Sequence, residues 1–280
     1  MKYLIPITFI FFISIAFSQE NREANFPSIR EKVTKLPAKE KLWVFILAGQ
    51  SNMAGRGFVE PMDTIPNNRI IALNENKEWV YAKEPLHFYE PNLTGLDCGL
   101  SFAKKLLECV PDDVTIALIP CAVGGSSISQ WINDEVYREV KLLTNFTEMV
   151  KSVENNVVFK GVLWHQGESD SNDRSIPKYK ESTEALFQKF REITNNKSLP
   201  ILVGELGAFI QPEEAQKKYD SINAIIHKTA MLDDNRFVIS TKDLTHKGDN
   251  LHFDSKSQRD MGVRFAKAFL NEVVEINCED

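Results

Sequence analysis

LWVFILAGQSNMAG, from Leu42 to Gly55, sets an unbroken apolar run against an abrupt polar end. Leu42–Ala48 carries no charged side chain and stops at Gly49. It reads as a strand buried on both faces and ended by a turn. Four comparable runs follow: VTIALIP (114–120), VVFKGVLW (157–164), LPILVGE (199–205) and RFVIST (236–241). Between them lie stretches read as helices at 99–109, 135–154, 176–195, 213–231 and 256–274. Ser175 and Pro177 suit the start of the third, and Glu213 and Glu214 after Pro212 suit the start of the fourth. Alternating strands and helices predict an α/β fold, a parallel sheet covered on both faces. Residues 55–97, with Gly, Pro, Asn and short extended pieces, break the alternation and are expected to form an insertion over the sheet's end.

The 280 residues, 43% of them hydrophobic, suit one α/β domain or a small two-domain protein. A formal net charge of -6 and the lack of any Lys or Arg run leave no electrostatic reason to bind nucleic acid. The chain opens MKYLIPITFIFFISIAFSQE, with Lys2 ahead of an apolar stretch and small residues at Ala16 and Ser18. This reads as a secretory signal over 1–18. It predicts a secreted or periplasmic protein with an N-terminal extension at 19–40 and one main domain at 41–280. The alternative is a membrane anchor. The run falls short of the ~20 residues a spanning helix needs, so no membrane association is expected after cleavage. Cys98 and Cys109 read as opposite ends of one helix, too far apart to pair at ~1.5 Å rise per residue. Cys121 reads as a packed thiol, and a bridge involving Cys278 is left open.

Ligands of an open parallel sheet bind beyond the carboxyl ends of its strands. Four polar, glycine-containing segments fall there: Ser51 and its neighbours, CAVGGSSISQW (121–131), WHQGESD (164–170) and GDNLHFD (248–254). Ser51 is a nucleophile if a base takes its proton, or else a helix N-cap. Met53 stands where a Gly-x-Ser-x-Gly elbow needs glycine. Asp249 lies three residues before His252, so the carboxylate can reach Nδ1 while Nε2 faces a hydroxyl; the alternative is an exposed pair on a loop. Gly124 and Gly125 can turn backbone N–H groups toward an anion, or form a plain turn. Trp131 either stacks on a sugar ring or packs. Gln166 offers an amide donor and Glu168 a carboxylate. A calcium loop fails because Arg174 replaces a ligand and no glycine follows. His165 has no second histidine at zinc spacing. Neither a metal nor an organic cofactor is expected.

GQSNMAG, CAVGGSSI, WHQGESD and Asp-x-x-His, in this order, resemble the SGNH hydrolase superfamily over residues 42 to 270. More narrowly they resemble its sialate O-acetylesterase and carbohydrate esterase family 6 branch. The resemblance implies a three-layer α/β/α sandwich around a flavodoxin-like parallel sheet of about five strands, with an esterase domain across 41–280. It implies Ser51 as nucleophile, His252 as base and Asp249 as its partner, with Glu168 near the histidine and sharing Asp249's role. The oxyanion hole it implies uses the backbone N–H groups of Ser51 and Gly125. Gln166 replaces the asparagine that most of the superfamily carries in a Gly-x-Asn-Asp block. Gln50, Asn52, Trp131 and His165 are the expected substrate contacts. The substrate implied is an acetylated carbohydrate, of acetylxylan or sialate type. The alternative is a general short-chain esterase or lipase on the same triad, which the lack of a long apolar lid disfavours. A sugar-binding module with a dead site would have lost Ser51, His252 or Asp249, and all three are present.

Overall fold

In the computed structural model, which describes residues 21–276, the expected strands form and two more join them. The strands are β1 (Leu42–Gly49), β2 (Ile70–Leu73), β3 (Trp79–Tyr81), β4 (Thr115–Pro120), β5 (Val136–Tyr137), β6 (Val140–Lys141), β7 (Val158–His165), β8 (Ile201–Gly204) and β9 (Arg236–Ile239). The helices are α1 (Ser51–Ala54), α2 (Gly99–Leu107), α3 (Ile128–Ile132), α4 (Leu142–Lys151), α5 (Ile176–Ile193), α6 (Glu213–Ala230) and α7 (Ser255–Ala268). Seven strands make one sheet in the order β3-β2-β4-β1-β7-β8-β9. Every pairing in it is parallel except β2 with β3. Its five long-predicted strands run in the doubly wound, flavodoxin-like order. The strand order reverses at β1, so the crevice for a ligand opens where β1 and its neighbours end.

β1 explains the three layers. Val44, Ile46 and Ala48 point to one face and join Trp131, Phe146 and Phe190 in a core shared with α3, α4, α5 and α6. Phe45 and Leu47 point to the other and join Phe102, Phe265 and Phe269 around α2 and α7. Alternation along a strand buried on both sides therefore supplies both cores at once.

Three expectations are corrected. Residues 55–97 do not merely cover the sheet's end: Ile70–Leu73 and Trp79–Tyr81 extend the sheet beyond β4. The stretch 135–154 is helical only from Leu142. Before it, β5 and β6 form a hairpin, with Asp134, Arg138 and Glu139 at φ 53°, 47° and 65°, a left-handed conformation no α-helix accepts. Asp134 instead caps the helix that follows, accepting from the Thr144 N–H at 2.7 Å. The last helix ends at Ala268 and continues as a π turn over Phe269–Val273.

The segment before β1 lies along the outer edge of β3. Val33 N–H donates to Trp79 O and Tyr81 N–H to Glu31 O, both at 2.9 Å. Cys98 and Cys121 are buried free thiols. The signal expected at 1–18 and Cys278 lie outside the described residues. Among the described residues no helix is long and apolar enough to cross a membrane.

Phe45 is fully buried and meets the Phe102 and Phe269 rings edge-on at 4.7 and 4.9 Å between centroids. Phe45→Ala should lower the unfolding free energy by ~3–5 kcal/mol, as cavities of this kind do. Guanidinium unfolding at unchanged m-value checks it.

Candidate active site

The site begins with a glycine that has no room for a side chain. Gly49 pairs with His165 across β1 and β7, at φ +136°, and a Cβ on it would lie 2.1 Å from the His165 carbonyl oxygen. That carbonyl accepts the Gln50 N–H at 2.9 Å. Gln50 Oε1 then accepts from Ser169 N–H at 3.1 Å and Gln166 Nε2 at 3.2 Å. The chain leaves the sheet here, and Ser51 opens the one-turn helix α1.

His252 arrives from the loop before α7. Asp249 Oδ1 accepts the Leu251 and His252 backbone N–H groups at 3.0 and 2.8 Å, so the carboxylate shapes its own turn. Its Oδ2 lies 2.7 Å from His252 Nδ1, and His252 Nε2 lies 3.1 Å from Ser51 Oγ. With the proton assigned to Nδ1, Nε2 is left free to accept the serine hydroxyl. Burial, the strongest influence, pushes His252 below its ordinary value; the Asp249 carboxylate pulls it partly back, and Lys247 and Arg56 add to the lowering. Burial opposes the charge of Asp249, but the hydrogen bonds from His252 outweigh it and hold the carboxyl below its ordinary value.

These groups line a cavity of about 470 Å³ with Gln50, Gly124, Gly125, Arg138 and Glu168. Gly125 adopts φ +81°. Neither its N–H nor that of Ser51 donates to a backbone or side-chain acceptor among the described residues, so both are available to a developing oxyanion. The neighbouring Gly124 N–H is held by Glu90 Oε2 at 2.6 Å. The same carboxylate takes Arg56 Nη2 at 2.8 Å and Arg138 Nη1. Burial raises Glu90, yet Arg56 and the Gly124 N–H outweigh it, and Glu90 lies below its ordinary value. Sequence reasoning missed Arg56, Glu90 and Arg138. Widely spaced single charges carry no local signal, and only the fold that brings Arg56 and Arg138 onto the buried Glu90 reveals them.

Several expected residues sit elsewhere. Trp131 is fully buried, its Nε1 donating to Ser126 Oγ at 2.9 Å and its ring against Trp164 and Phe190, so it packs and does not meet substrate. His165 is fully buried, bonded through Nε2 to Glu205 O at 2.8 Å and set edge-on to Phe253, so it too is no substrate contact. Gln166 is also fully buried. Its Nε2 donates to Asp170 Oδ2 at 2.6 Å, which takes the amide away from an oxyanion. Asn52 is 1% exposed and turns its side chain to protein groups. Glu168 reaches the cavity wall, but its hydrogen bond goes to Asn52, at 2.7 Å, while His252 Nδ1 is taken by Asp249. Among the described residues no three His, Cys, Asp or Glu side chains group to hold a metal ion.

A family model described as carbohydrate esterase, sialic acid-specific acetylesterase, matches residues 41–271. The chain is 32% identical over 256 residues to a "Probable carbohydrate esterase" of Arabidopsis thaliana, covering 81% of this chain and 90% of the relative. The X-ray structure of an Arabidopsis thaliana protein is similar at a TM-score of 0.72 and 29% identity, over 84% of this chain and 99% of that one. NanS is similar at a TM-score of 0.63 and 17% identity, over 84% and 98%. A carbohydrate acetylesterase from Xanthomonas citri is similar at 0.62 and 21% identity, over 84% and 56%. For these last two the likeness is one of fold.

Followed by NMR, His252 should titrate below the ~6.5 of an unperturbed histidine. Asp249→Asn removes the one carboxylate that raises it, and the midpoint should fall further. A wild-type midpoint above the ordinary value would contradict the electrostatics described here.

Proposed function

Because the chain belongs to the carbohydrate esterase family of sialic acid-specific acetylesterases, and is an esterase, we propose that it removes O-acetyl groups from acetylated sugars through an acyl-enzyme on Ser51. The observation that carries the reading is the aligned series Ser51 Oγ, His252 Nε2, His252 Nδ1 and Asp249 Oδ2, with steps of 3.1 and 2.7 Å. Ser51 Oγ attacks the acetyl carbonyl carbon as His252 Nε2 takes its proton, and Asp249 stabilises the imidazolium. The oxyanion is met by the Ser51 and Gly125 N–H groups, each such donor worth ~3 kcal/mol of barrier. The tetrahedral intermediate collapses, the C–O bond to the sugar breaks, and His252 protonates the departing sugar oxygen. Water then gives its proton to His252 and attacks the acetyl-serine; as the acyl C–O bond breaks, His252 passes the proton to Ser51 Oγ, and acetate leaves with Ser51 restored.

The lining of the cavity supports a sugar as the alcohol. Arg138, Asn92, Ser169 and Lys247 offer hydrogen-bonding heads, and Leu93 and Leu251 are its aliphatic side chains. A hydroxyl-rich ligand finds partners there, and a long acyl chain finds little to cover it. The apolar leader read at 1–18 supports action outside the cytoplasm.

Acetate release should be measured on acetylated xylan, acetylated sialic acids and p-nitrophenyl acetate. Ser51→Ala should abolish release from every substrate the wild type uses while keeping the wild-type circular dichroism spectrum; turnover by that folded variant would refute the acyl-enzyme. Among p-nitrophenyl esters, kcat/KM should fall from acetate through butyrate to octanoate. Preference for octanoate would instead favour a lipase.

A further inference from the structure

We propose that Asn52 is a positioning residue that holds His252 against Ser51, and that Glu168 serves the reaction by orienting Asn52, not as a second carboxylate on the histidine. The proposal rests on the roles of Ser51 and His252 given above. Asn52 follows the nucleophile directly and is almost wholly buried. Its Nδ2 donates to Leu251 O at 3.2 Å, and its Oδ1 accepts the Phe253 N–H at 3.1 Å. Leu251 and Phe253 are the two neighbours of His252. One side chain on α1 thus grips the backbone on both sides of the base. The carbonyl of Asn52 is in turn held by Gln258 Nε2 at 2.9 Å, which ties the same point to α7.

The other bonds of this loop do different work. Asp249 bonds within the loop, to Leu251 and His252, so it orients the ring without fixing the loop to α1. Lys247 Nζ reaches Arg56 O at 3.2 Å and Ser255 Oγ reaches Phe58 O at 2.7 Å, securing the two ends of the loop and leaving its middle to Asn52.

The grip works in only one orientation of the amide. If Asn52 were flipped, its oxygen would face Leu251 O and its NH₂ would face the Phe253 N–H. Glu168 prevents that. Its Oε1 accepts from Asn52 Nδ2 at 2.7 Å, so the NH₂ of the amide, and not its oxygen, is held on that side. The Glu168 side chain is 4% exposed and its Oε2 has no hydrogen-bond partner among the described residues; its Oε1 takes Asn52 at 2.7 Å and stands farther, 3.5 Å, from His165 Nδ1, so the Asn52 amide is its nearer contact. A glutamine at 168 keeps an acceptor oxygen for Asn52, whereas an alanine does not.

The test is steady-state kinetics of the whole chain with p-nitrophenyl acetate from pH 5 to 9. The variants are Asn52→Ala, Glu168→Ala, Glu168→Gln and the Asn52→Ala/Glu168→Ala double change. A loop displaced by ~1 Å can cost ~10²-fold in rate, so Asn52→Ala and Glu168→Ala should lower kcat by about 10- to 100-fold with KM within about 2-fold. Glu168→Gln should keep at least about a third of wild-type kcat, with the acidic limb of its pH profile unmoved, because an acceptor is retained. Residues acting through one another are not additive, so the double variant should be no more than about 2-fold worse than Asn52→Ala. Glu168→Gln as slow as Glu168→Ala, or with a displaced acidic limb, would show that the charge acts on His252 and overturn the proposal. Additive losses, or an unimpaired Asn52→Ala, would overturn it as well. If Asn52→Ala does not fold, the comparison of Glu168→Ala with Glu168→Gln decides. Ser51→Ala, run alongside, separates the two levels: an active Ser51→Ala defeats the acyl-enzyme reading, while an inactive Ser51→Ala beside an unimpaired Asn52→Ala defeats only the grip.

Discussion

β1 and β7 approach so closely at their carboxyl ends that residue 49 has no space for a Cβ, and the rest of the site follows from that approach. The His165 carbonyl occupies the position a side chain would take and holds the next amide, Gln50 N–H, at 2.9 Å. Glycine is the residue that tolerates both the contact and the φ of +136°. With the strand stopped at that point, Gln50 bonds into the 166–169 loop and Ser51 rises at the head of α1. Ser51 is therefore placed by main-chain geometry between two central strands, the most rigid part of an α/β sheet. A serine on a surface loop would have no such support.

A second constraint acts on the opposite wall. Glu90 is buried with Arg56, and it also takes the Gly124 N–H and Arg138. A lone buried carboxylate would be costly, but two guanidinium groups and one amide satisfy it. By removing the Gly124 N–H from the cavity, it leaves the Gly125 N–H as the one this turn can offer. The hairpin that delivers Arg138 carries left-handed backbone at Asp134, Arg138 and Glu139. Such backbone persists where surrounding contacts hold it in place.

Much of this was legible in the sequence, and the gaps have physical causes. The five strands read directly because each is a nearly continuous apolar run, as burial on both faces requires. β2 and β3 were hidden because four and three residues are too few to show a period among Gly, Pro and Asn. The hairpin at 136–141 reads as part of the helix that follows because its two-residue strands are too short to show a period, and Asp134 as a cap does not announce itself. Proximity to a motif misled in the other direction. His165 ends a central strand and Trp164 faces one core, so alternation alone sends His165 toward the other. Trp131 lies three residues after Ile128 on α3, and the two are buried together. Asp249 and His252 were legible because their contact is local, three residues apart. The bonds of Asn52 to Glu168 and to Leu251 span 116 and 199 residues, and no window of sequence contains them.

The segment that precedes β1 has a consequence for how this chain behaves among its own copies. β3 is three residues long, and its outer side is covered by main-chain bonds from Glu31 and Val33. Those bonds occupy donors and acceptors that an open sheet edge would present to any other extended chain. A fragment trimmed to the family-matched span of 41–271 would lose that cover and expose the outer side of β3, Trp79–Tyr81. The residues before β1 thus occupy the edge through which strands of separate copies could otherwise pair.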